Sequence, residues 1–413
     1  MQLPALYRIQ QTFEGRQVED IPACVSEQIA ALKLDERVKP GQTVAVTGGS
    51  RGIANIPLIL KSVVDELKSL GLKPFLVPAM GSHGGATAEG QKKILHKYGM
   101  TEEAVGCEIR ASMDVVEIGW PMPGIRVVED RNAYEADWVV VVNRAKPHTR
   151  FDGEIESGLC KMILIGLGKT EGATLYHKAA VNYSFGKLVE VAVPFFLEKA
   201  NLLFGMGVVE NGYDETAIIE AAPPEGLIAL DKKLLAESKR MMPKLPFEKI
   251  DVVIVDQMGK NYSGTGMDTN IIGSKSSVEI TRVFVRDLHP SSEGNAAGVG
   301  FADMITDRMR DKINLHATAL NCMTAQAFAG ARVPVSFPTD RDALKAAMAT
   351  IGLTESHESG IVWIPNTLHL KEVMVSETFK EEVEARDDLA IVDGPHEMAF
   401  DEAGNLVEAP FHH

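Results

Sequence analysis

The stretch from residue 44 to 57, VAVTGGSRGIANIP, decides how the first half of the chain is read. A short apolar strand runs into Gly-Gly-Ser-Arg-Gly, and the helical pattern IPLILKSVVDELKSLG (56–71) follows at once. Strand, glycine turn and helix in that order make the first unit of an open α/β fold. The pattern then repeats. KPFLVPAMG (73–81) is a second strand with a glycine turn, and ATAEGQKKILHKYG (86–99) is a second helix. WVVVVN (138–143) has the look of a strand buried on both faces, and MILIGLG (162–168) reads as another. This alternation predicts a mainly parallel sheet covered by helices, with its ligand site at the carboxyl ends of the strands.

Two prolines in PKLPFEK (243–249) interrupt the series, and IDVVIVDQMG (250–259) opens a second one that includes VEITRVFVRDL (278–288) and GIVWIPN (360–366). We therefore expect two α/β domains, 1–245 and 246–390, each with a mainly parallel sheet covered by helices and with the active site in the interdomain cleft. The tail, 391–413, is expected to pack back on the first domain.

Bulk properties narrow the field of functions. The chain has 413 residues, 45% of them hydrophobic and 24% charged, the balance of a soluble globular protein. Its net charge of −15 argues against a nucleic-acid partner, which favours a basic face. Small molecules remain, anionic ones included, because a pocket can invert the local sign. The four cysteines, Cys24, Cys107, Cys160 and Cys322, show no CxxC and no paired spacing, which suits reduced thiols in the cytoplasm. MQLPALYRIQ at the start has no basic segment leading into an apolar core, so no signal peptide is expected. The longest apolar runs are too short, or too often broken by Glu and Lys, to span a bilayer.

Two motifs invite nucleotide readings. VAVTGGSRGIANIP resembles the strand-to-helix turn of short-chain dehydrogenases, and Tyr183 with Lys187 supplies a Tyr-x-x-x-Lys. The last glycine of that fingerprint is missing, however, where the chain reads Ala54, Asn55 and then Pro57. The second strand also ends without the acid that would hold an adenosine ribose. GLGKT (166–170) suggests a phosphate-binding loop, but the glycine required five positions earlier is Ile163.

A series of basic residues at turns points elsewhere. Arg51 lies in the first strand-to-helix turn, His83 in the glycine turn after the second strand, and His148 after VVVVNRAKP. In a parallel sheet these leave their strands at the same end and can converge. Lys161 and His177 follow within SGLCKMILIGLGKTEGATLYHK. Any one of them alone reads as a solvated turn residue, a cap or a strand flank. Together, after separate strands, they read as a site.

Taken in order, these segments resemble the lactate racemase family, whose members use a nickel-pincer nucleotide. The likeness runs through GGSRG (48–52), PAMGSHGGATAEGQKKI (78–94), MDVVEIG (113–119), AKPHTRFDGEIESGLCKMILIGLGK (145–169) and His177, and more weakly into SGTGMDTNIIGSK (263–275). The resemblance implies a racemase or epimerase of a 2-hydroxy acid in the cytoplasm. Lys161 then matches the lysine that tethers the modified nicotinic-acid nucleotide, a pyridinium-3-thioamide-5-thiocarboxylic acid mononucleotide, and His177 the ligand that completes square-planar nickel. An imidazole on planar Ni(II) is chemically reasonable. His83 and His148 match the two acid/base histidines, and Arg51 the arginine that orients the substrate carboxylate, a planar anion suited to a guanidinium. Lys275 matches, one residue off register, a second-domain lysine near the site. By this resemblance the C2 hydride of the hydroxy acid passes to the cofactor and back while the histidines handle the hydroxyl proton, a task suited to a near-neutral pKa. Enzymes that build the cofactor are the implied partners.

The sequence departs from the lactate racemases where substrate and nucleotide would lie. Gly48 stands in place of an acid that contacts the cofactor ribose, and Gly273 in place of a glutamine near the pincer. The segment from His148 to Lys161 is three residues longer and reads Thr149, Arg150, Phe151, Asp152 in place of a pair of aromatics. These changes leave the class standing but take the assignment away from lactate itself. Arg150 is a candidate to bind a second carboxylate, or hydroxyls, of a larger hydroxy acid. The competing readings are an NAD(P)-dependent short-chain dehydrogenase and a non-catalytic small-molecule binder.

Overall fold

The fold was obtained as a computed structural model and is described for residues 2–407 and for residue 411. It divides into two compact units, one of residues 14–242 and one of residues 1–13 with 243–413.

The 14–242 unit is built on a five-stranded sheet, in the order β3 (Lys73–Pro78), β2 (Thr43–Gly48), β6 (Trp138–Arg144), β7 (Leu202–Glu210), β8 (Thr216–Ala222). All neighbours are parallel except the β7–β8 pair. Strand residues alternate between the two faces of a sheet, and here both faces are buried. Val44 and Val46 of β2, with Val140 and Val142 of β6, meet Ile59, Leu60, Val63 and Leu67 of the helix Ile56–Ser69 on one side. Ala45, Val139 and Val141 face Leu188, Val189 and Val193 of the helix Phe185–Lys199 on the other. That double burial is why WVVVVN carries no polar alternation. A two-stranded ribbon, β4 (Val115–Met122) with β5 (Ile125–Asp130), completes this unit's strands among the described residues. The chain runs from β2 outward to β3 and returns on the far side of β2 as β6. The carboxyl ends of β2 and β6 therefore flank the point where strand order reverses, where α/β sheets open a crevice.

One element differs from its sequence reading. MILIGLG is not a strand: Met162–Leu167 form a π-helical run that continues the short helix Leu159–Lys161 and leads into the helix Lys169–Ala179. All six residues of the run are buried. A short run that is apolar all round carries no periodicity, so strand and buried helix look alike in sequence.

The second unit carries an eight-stranded sheet. Its order is β12 (Val335–Phe337), β11 (Met304–Thr306), β10 (Glu279–Leu288), β9 (Lys249–Met258), β13 (Ile361–Ile364), β14 (Glu372–Ser376), β1 (Leu6–Gln11), β15 (Leu389–His396). The strands from β12 to β13 are parallel, and the last three join antiparallel. One face is covered by the helix Asp340–Met348, whose Ala343, Leu344 and Ala347 pack with Val252, Ile254 and Phe284.

Two boundary expectations change. Residues 1–13 fall with the second unit, because β1 lies between β14 and β15 and gives both of its edges to them: Ile9 stands opposite Val373 on one side and Ile391 on the other. For the same reason the described part of the segment from 391 falls with the second unit, where β15 takes the backbone partners offered by β1. The residues 408–410, 412 and 413 of that tail lie outside the described residues. Among the described residues no helix is long and apolar enough to cross a membrane.

Candidate active site

Three loops leave the carboxyl ends of β2, β3 and β6, and each is fixed by polar contacts that the chain provides itself. The loop after β2 carries Arg51, which is exposed. Its far end is held by Glu210 at the end of β7: the Ala54 N–H donates to Glu210 Oε1 at 2.6 Å, and the Arg144 guanidinium pairs with Oε2. Thr216 Oγ1 donates to the Ala54 carbonyl at 3.0 Å.

The loop after β3 turns at once through Met80, Gly81 and Ser82 to His83. His83 Nδ1 lies 2.5 Å from the Met80 carbonyl oxygen. From below, buried Gln91 donates to the Gly81 carbonyl at 2.8 Å. Gln91 in turn lies against Lys169, whose ammonium is completely buried, bonds the Pro78 carbonyl and pairs with Asp130 at 2.8 Å. A fully buried ion pair thus underpins the turn that presents His83.

The loop after β6 is closed by a bridge between Lys146 and Ser157, with the Lys146 N–H donating to the Ser157 carbonyl at 2.9 Å. Inside it, buried Glu156 accepts the His148 N–H at 2.8 Å and pairs with Lys239 at 2.5 Å. His148 Nδ1 accepts the backbone N–H groups of Arg150 and Phe151, at 3.1 and 3.0 Å. Phe151, 6% exposed, is the centre of an aromatic stack. It stacks on His148 at 4.3 Å, on Phe185 at 4.3 Å and on His177 at 5.7 Å, and Lys161 Nζ lies 6.0 Å from its ring centre.

Lys161 ends the short helix that starts at Leu159. The first N–H groups of that helix, on Leu159 and Cys160, donate to the two oxygens of buried Asp231 at 2.8 and 3.0 Å, a cap supplied by the helix Leu227–Met241. A Cβ on Gly158 would fall 1.9 Å from Asp231 Oδ1, so only glycine lets the cap approach this closely. Asp231→Ala should cost about 1–2 kcal/mol of stability, as a lost helix cap does. It should also loosen Lys161, with chemical denaturation reading the first effect and the reactivity of the lysine the second. The π-helical run after Lys161 then sets its position relative to His177 on the helix Lys169–Ala179, and such bulges recur at functional sites.

Electrostatic coupling links Arg51, His83, Lys146, Arg150, Lys161 and His177. Burial, then Arg51 and Lys161, hold the His83 pKa down at about 4, against a weaker opposite pull from the Met80 carbonyl. Burial, then Lys161, Arg150 and His83, lower His177 to about 4. Burial, then Arg51 and Lys146, lower Lys161 to about 7. The charged groups acting on these three side chains are all basic. In a chain of net charge −15 this is a local region of positive potential that suits an anion. Arg51, His83, His148, Arg150, Lys161 and His177 all belong to the 14–242 unit. Lys275 belongs to the other unit, in the loop after β9, where its N–H donates to the Thr269 carbonyl at 3.2 Å.

The depressed pKa of His83 sets a pH dependence with a definite sign. The unfolded histidine, near 6.5, takes up its proton before the folded one, near 4. The stability tied to keeping the ring neutral is complete above about pH 6.5, drains as pH falls and stops changing below about pH 4. One such group contributes a slope of up to about 1.4 kcal/mol per pH unit. The unfolding free energy of His83→Gln apoprotein should fall less steeply between pH 6.5 and 4 than that of the parent, and identical slopes would contradict this placement of His83.

Sequence reasoning did not single out Phe151 as the hub of the site, nor the supports Glu210, Asp231, Glu156, Gln91 and Lys169. Phe151 was visible as the one aromatic in the altered segment. Lys169 was visible only through GLGKT, and its buried pair with Asp130 leaves its ammonium committed inside the protein. Asp231 and Glu210 sit more than 50 residues from the groups they hold and gave no local signal.

The fold and this geometry define an α/β protein with a basic, histidine-rich site at the carboxyl edge of a parallel sheet. Residues 6–186 match the family model of the lactate racemase N-terminal domain, and in that span the chain is similar to the lactate racemase family. The matched span contains Arg51, His83, His148, Arg150, Lys161 and His177. In structure the chain is similar to the lactate racemase apoprotein from Thermoanaerobacterium thermosaccharolyticum, with a TM-score of 0.53 and 16% identity over 86% of this chain and 93% of that one. That likeness is one of fold. No protein of curated function matches the chain in sequence.

Proposed function

We propose that this protein racemises or epimerises a 2-hydroxy acid with a nickel-pincer nucleotide tethered to Lys161. The observation that carries this reading is the gathering of Arg51, His83, His148, Lys161 and His177 at one sheet edge, where the charges acting on His83, Lys161 and His177 are all positive.

The residues fit the cofactor. Burial and the neighbouring cations lower the Lys161 pKa to about 7, which favours the neutral amine that an activated acid can acylate. His177 Nδ1 is buried without a hydrogen-bond partner, and the ring stays neutral, as a metal ligand must. Among the described residues no three His, Cys, Asp or Glu side chains are grouped to hold a metal ion. Nickel at His177 would therefore take its other ligands from the nucleotide. When bound, that group supplies a hydride acceptor and donor. The chain does the rest. Arg51 holds the substrate carboxylate, His83 and His148 handle the hydroxyl group, and the stack of Phe151 on Phe185 and His148 keeps water from one side of the site. Arg150, half-buried and close enough to lower the His177 pKa, is the candidate for extra carboxylate or hydroxyls on the substrate. Lys275 is a candidate substrate-binding residue on the resemblance alone.

The dehydrogenase reading loses support at the opening motif. A dinucleotide pyrophosphate needs free N–H groups at the start of the helix after β2. Here the Ala54 N–H is already engaged by the Glu210 carboxylate, and Pro57 has no N–H to give.

Peptide mass mapping tests the proposal on protein co-produced with cofactor-building enzymes. A nucleotide-sized, nickel-dependent adduct on Lys161, absent from Lys161→Met, is expected together with interconversion of 2-hydroxy acid enantiomers. An unmodified Lys161 in protein that isomerises no hydroxy acid would overturn it.

A further inference from the structure

We infer that Lys239 is a positioning residue: through the buried carboxylate of Glu156 it fixes where the main chain holds His148. Its bearing on turnover rests on the hydroxy-acid reading above, whereas the contact itself does not.

The loop after β6 is held from inside by Glu156. That side chain is fully buried; one of its oxygens takes the His148 N–H at 2.8 Å, and the other lies 2.5 Å from Lys239 Nζ. Lys239 Nζ also donates to the Gly153 carbonyl at 3.0 Å, so one ammonium grips the loop at two points. His148 passes the constraint on. Its ring accepts the N–H groups of Arg150 and Phe151 and stacks on Phe151 at 4.3 Å.

The asymmetry of the pair gives it weight. Lys239 is 42% exposed and can return to water, but Glu156, at 0%, cannot. An exposed ion pair contributes little, whereas a buried carboxylate that loses a cation must move, admit water or take up a proton. Each of these outcomes shifts or weakens the bond to the His148 N–H. Lys232, on the same helix Leu227–Met241, provides the contrast: it pairs with Glu154 of the same loop at 2.7 Å, but both partners are exposed.

The helix that carries Lys239 also carries Asp231, which caps the short helix ending in Lys161. Asp231 and Lys239 lie two turns apart on one face, about 12 Å along the axis. One rigid element therefore sets both Lys161 and the His148 loop, with a carboxylate for the first and an ammonium for the second.

Hydrogen–deuterium exchange of the apoprotein, read by mass spectrometry, tests the contact without cofactor. In Lys239→Met, residues 146–157 should exchange at least about tenfold faster, with residues 43–48 unchanged. Lys232→Met should match the parent in both. Adding Glu156→Gln to Lys239→Met removes the stranded charge but keeps an oxygen for the His148 N–H, so the loop should slow again. In the loaded enzyme Lys239→Met should lower kcat by about 10–100-fold, the cost of a reacting group misplaced by about an ångström, with KM within about threefold of the parent. The double variant should match Glu156→Gln alone to within about threefold in kcat, a comparison that holds even if Lys239→Met does not fold. A much larger loss in the double variant would mean that Lys239 does not act through Glu156 and would overturn the inference. Parental exchange in Lys239→Met, or faster exchange throughout the 14–242 unit, would overturn it too. So would a loosened loop with parental kcat, which leaves Lys239 a purely structural role. A parent enzyme that turns over no hydroxy acid would overturn the functional reading, and the bearing on turnover with it, while the exchange result still decides the contact.

Discussion

Replacing Lys169 with methionine should destabilise the apoprotein by about 3–5 kcal/mol, the cost of leaving one half of a buried ion pair without its partner. Lys169 and Asp130 are both fully buried, and Lys169 Nζ also bonds the Pro78 carbonyl and lies 3.3 Å from Gln91 Oε1. The lysine backbone is left-handed at φ 52°, a conformation that costs an L-residue of order 1 kcal/mol and is kept here only because these contacts outweigh it. Urea unfolding measures the loss. Combining Lys169→Met with Asp130→Asn should restore most of it, since the second change removes the stranded carboxylate. A double variant no more stable than the single one would mean that the pair is not what the lysine supplies. The same substitution reaches the site, because Gln91 braces both Lys169 and the turn before His83.

Arg51→Met should lower kcat/KM for the hydroxy acid by roughly 30- to 1000-fold, the equivalent of about 2–4 kcal/mol for charge-assisted hydrogen bonds to a carboxylate. Arg51 is suited to the task because its loop is held at the far end by Glu210 while its own side chain reaches solvent. Arg51→Lys should recover part of the loss, since an ammonium restores charge without the planar fork. The substrate Michaelis constant is expected to carry most of the change. A variant with parental kcat/KM would remove Arg51 from carboxylate binding.

How far the sequence could be read depended on how local each signal was. The strands β2, β3 and β6 and the helices after β2 and β3 were legible because their periodicity, glycine turns and caps lie within one short segment. The parallel order then brought Arg51, His83 and His148 to the same edge without further information. The π-helical run was misread because burial all round erases periodicity. Phe151 has a place in the sequence but its role as hub depends on His177 and Phe185, which come from two later helices. The caps and braces were invisible for the same reason: Asp231 serves a helix that starts at Leu159, and Glu210 serves Ala54. Long-range polar contacts leave no pattern in a single chain. The chain's two ends were misassigned because strand pairing, unlike strand formation, is decided by what else offers an edge.

The placement of β1 has a consequence for the order of assembly on the ribosome. Each strand of the five-stranded sheet finds its partners within residues 43–222, so that sheet can form while the rest of the chain is still being made. Residues 6–11 cannot join anything comparable. Their partners are residues 372–376 and 389–396, which emerge roughly 360 residues later. Through most of synthesis this strand waits with both edges unpaired, the state in which strands are captured by chaperones or by one another. The slowest step in forming the second unit should therefore be the pairing of β1 with β14 and β15.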